Sequence, residues 1–461
     1  LIETDITIQL DLDETVIYAT VWMAEIIGVT GHVIPVYFLD TLREENSLEH
    51  QKLSSVLYGG DDNTRVRQEY LLGCGGVQLF DYLESELSGI HLNEGHCTFA
   101  MLELLHRGWS REYLADHSLF TTHTPVPAGH DRFDWDLVKQ IMKDKLPTDA
   151  IDLVKNAGDS ENGERCSMSH LAMALSKSTN AVSKLNAEVA AGMFAGKDIT
   201  PITNGVHHIT WTSSPMSKLY DKYLEGWQKE PSLLSLAGNI PSQSLIAARK
   251  ENRKILRERV KSSTGVEFSE DRLTIGFARR FATYKRANLV FHNLEKLREI
   301  GSDKIQFVFS GKAHPKDEGG KKLIKSIFES AEIIRDEIPV AFLEDYDMDI
   351  GLDMTSGVDI WLNNPIRPME ASGTSGMKAA MNGVPNLSIL DGWWPEACIH
   401  GVNGWAIGAQ EDDRDDERDV DALYTVLEHE VLPMWMGDRE AWDDVMRHAM
   451  VASAGFTGHR M

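Results

Sequence analysis

Short apolar, β-branched runs alternate with amphipathic runs of helical period, and this predicts an α/β protein built on parallel sheets. The alternation occurs twice, before residue 226 and again from residue 273, with a polar, proline-punctuated stretch at 226–265 between the blocks. The expected architecture is two α/β domains with a cleft between them. Ligands are expected at the carboxyl ends of the strands.

In the first block, Ile6, Ile8 and Leu10 alternate with polar residues as a strand does, and residues 16–23 and 32–38 are rich in β-branched and aromatic side chains. Residues 63–73 read as a helix with its charges on one face. A strand ends at His91 and Leu92, residues 98–105 are helical, and 119–122 form another strand. In the second block, 273–278 is a short apolar strand. Residues 286–300 read as a helix with Leu289, Val290, Leu294 and Leu297 on its apolar face. A strand at 305–310, a helix at 321–331 and a strand at 338–343 follow. The stretch 226–265, with Pro231, Pro241 and a charged helical run at 247–261, marks the junction. Domains are expected at 1–235 and 236–425, with amphipathic helices at 426–461 packing back on the first. Residues 411–419 read as an acidic, solvated loop.

The 461 residues carry 46 Lys and Arg against 71 Asp and Glu, a net charge of −25. That excess argues against nucleic acid or an anionic membrane as partner, and an anionic substrate needs a local basic cluster to override the field. Cys74, Cys97, Cys166 and Cys398 form neither a C-x-x-C pair nor a zinc pattern with histidine, so free thiols and no metal are expected. No apolar run reaches the roughly 20 residues of a spanning helix, and no signal peptide is visible. A cytoplasmic location is expected. The sequence opens at Leu1 already in strand pattern, so a preceding segment is expected.

The most informative stretch is Glu370-Ala-Ser-Gly-Thr-Ser-Gly-Met-Lys-Ala-Ala-Met-Asn-Gly383. Small residues from Ser372 to Gly376 form a tight loop; a helix starts at Met377 and stops at Asn382-Gly383. Such a loop leaves N–H groups free at a positive helix end, which is an anion site, with Thr374 and Ser375 adding hydroxyl donors. Lys378, placed in the first turn, gives that site the amine a pyridoxal phosphate pocket requires. The spacing is not that of a Walker A loop. The same residues also suit a glycine-rich turn before a core helix. A second stretch, Phe277-Ala-Arg-Arg-Phe-Ala-Thr-Tyr-Lys-Arg286, places Arg279, Arg280, Lys285 and Arg286 after a strand end, as phosphate recognition or a solvated helix start would. Phe309-Ser-Gly-Lys-Ala-His-Pro315 is another strand-then-glycine turn. In the first block the turns at Leu92-Asn-Glu-Gly-His96, Thr121-Thr-His-Thr-Pro125 and Pro201-Ile-Thr-Asn-Gly-Val206 are each a capped turn or a site.

Together these segments resemble the glycogen/maltodextrin phosphorylase family. Glu370-Ala-Ser-Gly-Thr-x-x-Met-Lys378 with Asn382-Gly383 looks like its cofactor-lysine motif, and Arg280-x4-Lys285-Arg286 like its phosphate motif. Ser310-Gly-Lys-Ala313, Phe342-Leu-Glu-x-Tyr346, Leu92-Asn-x-x-His96, Thr122-His-Thr124 and Ile202-Thr-Asn-Gly205 with Trp211 fall in the family's order, from about Tyr58 to Gly408. The short Gly-Thr-Ser-Gly-Met-Lys form is similar to a divergent branch found in many archaea and bacteria.

The resemblance implies two Rossmann-like domains facing across a cleft, a GT-B-like glycosyltransferase architecture, with glucan on the first and cofactor and phosphate on the second. It implies phosphorolysis of α-1,4-glucan by inorganic phosphate to α-D-glucose 1-phosphate, with retention. Lys378 would hold pyridoxal 5'-phosphate as a Schiff base. Arg279, Lys285, Tyr346, Gly373, Thr374 and Ser375 would line the cofactor, with Trp211 packed near it. Arg280 and Lys285 would hold substrate phosphate. His96, His123, Asn204, Tyr284, Glu370, Ser372 and Gly373 would serve the glucosyl side, and Lys378, Arg280, Lys285 and His123 form the catalytic set. A homodimer is compatible with this reading. Ala282 stands where many members have histidine, Ser375-Gly376 replaces Gly-Asn, and the family's glycine-rich N-terminal loop would lie upstream. A nucleotide-sugar glucosyltransferase of the same architecture has no use for Lys378 as a Schiff base. An inactive, truncated glucan-binding homologue is the third reading.

Overall fold

The structure is a computed structural model that describes residues 1–461 apart from Asp13, residues 57–59, Glu84, Pro127, Ala128, Ala195, Glu411 and Asp413. The first matched position, Tyr58, and part of the acidic stretch at 411–419 lie outside the described residues. Two units divide the chain: Leu1–Val182 with Asn186–Ile202, and Ser183–Leu185 with Thr203–Met461.

The break therefore falls at residues 182–203, not at the expected junction. The reason is burial. Met216, Leu219, Tyr220, Trp227 and Leu234, in and around the helix Ser214–Tyr223 and the turn Pro231–Asn239, all lie in the core of the second unit. The prolines and polar residues there mark surface turns around a buried strip.

The first unit opens with β1 (Ile2–Leu12), β2 (Thr15–Ile27) and β3 (Val33–Asp40), paired antiparallel in sequence order. Short connections permit hairpins but not the crossovers that parallel pairing needs, so these strands stand outside the α/β pattern. The helix Asp62–Tyr82 runs beyond the predicted end at residue 73. Gly73 is there for close packing: a Cβ on it would lie 2.6 Å from the Ala100 backbone nitrogen. Next come β4 (Ile90–Asn93), the helix Thr98–His106 and β5 (Ser118–Thr122). After the short antiparallel pair β6 (Arg132–Phe133) and β7 (Cys166–Ser167), β8 (Ser178–Ala181) and β9 (Ile199–Pro201) complete a parallel sheet ordered β4-β5-β8-β9.

Among the described residues, the second unit holds six parallel strands: β10 (Leu273–Ala278), β11 (Ile305–Ser310), β12 (Val340–Leu343), β13 (Ile360–Asn363), β14 (Asn386–Ile389) and β15 (Gly404–Ile407). Their order is β12-β11-β10-β13-β14-β15, a doubly wound sheet whose direction of travel reverses between β10 and β13. Every residue of β10 and β11 is buried, as in a parallel sheet covered on both faces, including the polar Thr274, Gln306 and Ser310.

The helix expected at 286–300 is broken. Arg286 takes a left-handed conformation (φ 45°), a short 3-10 turn covers Leu289–Phe291, and a new helix, Leu294–Gly301, starts where the Asn293 side chain accepts the Lys296 N–H. The acidic stretch is not wholly a solvated loop either. The helix Asp416–Val426 begins inside it, and Asp416 and Asp419 take the buried Arg286 guanidinium at 2.9 and 2.7 Å. The C-terminal helix Arg439–Ser453 packs on Pro231–Asn239 and on the helix Thr374–Met381, all within the second unit. Among the described residues, no helix is long and apolar enough to cross a membrane.

Candidate active site

The crevice at the sheet's reversal point is where a doubly wound fold presents ligands. β10 leads into Arg279 and Arg280; β13 leads through a loop to Glu370, Ser372 and Gly373. Arg279 Nη2 lies 2.5 Å and Lys285 Nζ 3.3 Å from the same oxygen, Glu370 Oε2. All three side chains are buried. Burial pushes the Glu370 carboxyl up, but Arg279 and Lys285 outweigh it and hold it below its ordinary value. Burial, reinforced by Arg279, pushes Lys285 down to about 8 despite Glu370. Three buried polar atoms here have no partner among the described residues: Arg279 Nη1, Asn363 Oδ1 and Ser372 Oγ. Buried donors and acceptors left open in this way call for a partner such as a water or an ion.

The turn after β11 explains how Arg279 is held. Gly311 has φ 135°, and a Cβ on it would lie 1.9 Å from the Arg279 carbonyl oxygen, so only glycine lets the two backbones pass. Arg280 is exposed, and Tyr284 stacks near Lys285, whose Nζ is 5.1 Å from the ring centre. Burial pushes the Tyr284 phenol up to about 12. Arg286, the fourth cation of the cluster, is spent elsewhere: it donates to the carbonyls of Asn364 and Pro365 and pairs with Asp416 and Asp419.

The lysine helix begins at Thr374, three residues before the predicted start, because Gly373 turns the chain with φ 79° and serves as N-cap. Lys378 thus sits in the second turn. Its Nζ lies over the Trp211 ring, 3.3 Å from the centroid, and burial pushes the amine down to about 8. Trp211 and Tyr346 flank Gly351, where a Cβ would lie 2.7 Å from the Tyr346 hydroxyl and 3.4 Å from Trp211. Asn382 fixes this arrangement. Its Nδ2 donates to the Trp211 carbonyl (2.6 Å) and the Lys378 carbonyl (2.9 Å), and its Oδ1 accepts the Ser213 N–H (2.9 Å). Trp361 Nε1 donates to Ser375 Oγ at 3.1 Å, and Thr374 is half-buried at the helix start.

Asn204 lies in the second unit, on a strip held at both sides. Thr203 Oγ1 donates to Glu396, and Gly205 approaches the Thr457 backbone so closely that a Cβ would lie 2.2 Å from its oxygen. His96 and His123 belong to the first unit. His123 follows β5; its backbone N–H donates to Glu94 Oε2 (2.7 Å), and its buried Nε2 has no partner among the described residues. Burial pushes this imidazole below its usual range. His96 Nδ1 lies 2.9 Å from Asp131 Oδ2 and 3.6 Å from Glu69 Oε1; these hydrogen bonds raise it to about 9. Arg65 sits in the same cluster, 2.7 Å from Asp131 and 3.1 Å from Glu69.

Sequence reasoning missed Asp391, Glu69 and Asp131, and took Asn382 as a helix stop and as part of the lysine motif without giving its side chain a role. Asp391 follows β14 in an Asp-Gly turn, the same strand-then-turn signal that drew attention to the other segments.

A family model described as carbohydrate phosphorylase matches residues 37–396. This chain belongs to the carbohydrate phosphorylase family. Curated phosphorylases similar to it include the maltodextrin phosphorylase of Thermococcus litoralis, 37% identical over 98% of this chain and 59% of its own length. The glycogen phosphorylase of Aquifex aeolicus is 37% identical over 96% of this chain and 70% of its own. That of Mycobacterium tuberculosis is 34% identical over 95% and 57%. The chain thus spans between 57% and 70% of the length of these phosphorylases.

Proposed function

We propose that the protein catalyses phosphorolysis of α-1,4-glucan to α-D-glucose 1-phosphate, with pyridoxal phosphate held on Lys378. One observation carries this reading: a half-buried amine over an aromatic face, on a helix opened by Gly373, next in sequence to the loop whose Glu370 gathers Arg279 and Lys285. The site fits the cofactor. Trp211 and Tyr346 can approach Gly351 because it has no Cβ, and unpartnered donors and acceptors at Arg279, Asn363 and Ser372 await polar groups.

When bound, pyridoxal phosphate supplies a second phosphate beside the substrate phosphate rather than carbanion chemistry at its ring. Arg279, Lys285 and the free helix start at Thr374 offset the repulsion between two such anions. Arg280, exposed at the strand end, and Lys285 hold inorganic phosphate so that it protonates the departing glycosidic oxygen and then captures the glucosyl carbon. Glu370 keeps Oε1 for a sugar hydroxyl, with Ser372, Tyr284 and Asn204 as the other sugar contacts of this unit. This assignment leaves no need for the paired carboxylates of an ordinary glycosidase. The reading carries with it a GT-B-like architecture of Rossmann-like domains, supported by the strand order of the second unit.

The test uses the full chain with maltodextrin and inorganic phosphate, scoring cofactor absorbance and glucose 1-phosphate release. Borohydride reduction is expected to fix the label on Lys378, and Arg280→Ala to lower turnover by about a hundredfold or more while cofactor stays bound. A label on another lysine, or full activity in Arg280→Ala, refutes the assignment.

A further inference from the structure

Asp391 is 3% exposed and has no cation within ion-pair distance among the described residues. Its oxygens accept two backbone N–H groups: Oδ2 that of Glu370 at 2.9 Å, and Oδ1 that of Gly392 at 2.8 Å. Two residues on, the Trp393 N–H donates to the Ser372 carbonyl at 2.8 Å. Residues 391–393 therefore bracket residues 370–372 from both ends. The approach is close enough to require Gly392: it has φ 59°, and a Cβ there would lie 2.4 Å from the Ser372 oxygen and 3.2 Å from the Glu370 oxygen. Burying a carboxylate without a cation is unfavourable, and a neutral acceptor would make the same turn at less cost. The charged groups that bear on it are the Glu370 carboxylate and Arg367, and Arg367 is itself engaged with Asp412 and the Leu390 carbonyl. Burial pushes the Asp391 carboxyl up to about 7. A carboxylate so placed, one step behind an ion cluster, is the pattern of a functional site rather than of a stability device.

We propose that Asp391 is a positioning residue: it fixes the backbone of Glu370 and, through the Glu370 carboxylate, the Arg279 and Lys285 cations. Asp391 touches none of the reacting groups. Its effect on phosphate binding rests on the phosphorolysis reading above; its hold on Glu370 and Lys285 does not.

The experiment is a double-mutant cycle on the full chain, read as trace acetylation of Lys285 by acetic anhydride and quantified by mass spectrometry. Asp391→Asn and Glu370→Gln are each expected to raise Lys285 labelling about threefold or more, and the double variant to exceed neither, because both act along one path. Unchanged labelling in Asp391→Asn, or effects that multiply in the double variant, overturns the proposal. Gly392→Ala, which forces the turn away from Ser372 and Glu370, provides the same cycle if Asp391→Asn does not fold. A second arm measures kinetics: Asp391→Asn is expected to raise the KM for phosphate about tenfold and to leave that for glucan within about twofold. A labelling cycle that holds in a protein without phosphorolysis refutes the function and leaves Asp391 in its role. An intact phosphorolysis with a labelling cycle that multiplies does the reverse.

Discussion

Lys378 and Lys285 arrive at the same depressed range by different routes. Burial alone lowers Lys378 to about 8, with the amine resting on Trp211, whereas Arg279 adds to burial at Lys285 and Glu370 opposes both. Below its pKa the Lys378 amine is protonated and does not attack a carbonyl. Capture of pyridoxal phosphate by the cofactor-free chain should therefore accelerate with pH, with a midpoint near 8 in stopped-flow absorbance; a flat profile across that range contradicts the environment described for Lys378. At His96 the sign is opposite. Asp131 and Glu69 raise it to about 9, above its ordinary value. The stabilisation is then complete below about pH 6.5 and is lost as pH rises through the folded value. His96→Gln should lower the melting temperature by roughly 3 °C in acid and by nothing measurable above about pH 9 in a pH series of thermal melts.

At the scale of elements, Gly311 is the most exposed to test. Gly311→Ala places a Cβ against the Arg279 carbonyl at a backbone angle that side chains rarely adopt. It should cost roughly 3 kcal/mol, read by denaturant unfolding, and should weaken phosphate binding with it. The same scale shows which elements could be read in advance. β10 and β11 were legible to the residue, because strands buried on both faces carry mostly apolar side chains, with Thr274, Gln306 and Ser310 the polar residues here. The helix predicted at 286–300 has the right apolar spacing, yet Arg286 leaves the helical region to reach Asp416 and Asp419 some 130 residues away, and no local pattern encodes that. The early start of the lysine helix turns on Gly373 adopting a positive φ, which a glycine permits but does not announce. Motif spacing drew attention to Arg279, Lys285 and Lys378, and the resemblance added Glu370; Asp391 acquires meaning only when the turn after β14 folds back on the loop after β13.

Across the whole molecule, the proposed anion site stands against a net charge of −25, and its Arg279 and Lys285 are themselves buried and paired. Salt screens such groups less than it screens the distant surface charges. Every residue assigned to the cofactor belongs to the unit made of Ser183–Leu185 and Thr203–Met461. Pyridoxal phosphate should therefore slow amide hydrogen exchange chiefly in that unit, as peptides around Trp211, Tyr346 and Gly373–Lys378 would report; equal protection throughout Leu1–Val182 would contradict the assignment. The expected boundary near residue 235 failed for a reason of the same scale, since composition marks where a chain turns at the surface and not which core it joins.

The chain changes unit after Val182, after Leu185 and after Ile202. Within the second unit the brief visit is secured by Ser183, whose hydroxyl donates to the Ala371 carbonyl, and by the Lys184 N–H on Glu396. Neither unit is consequently a cassette. A chimera joined at one crossover inherits parts of two cores, and an exchange of either unit between relatives requires three junctions in register, one of them three residues from the next.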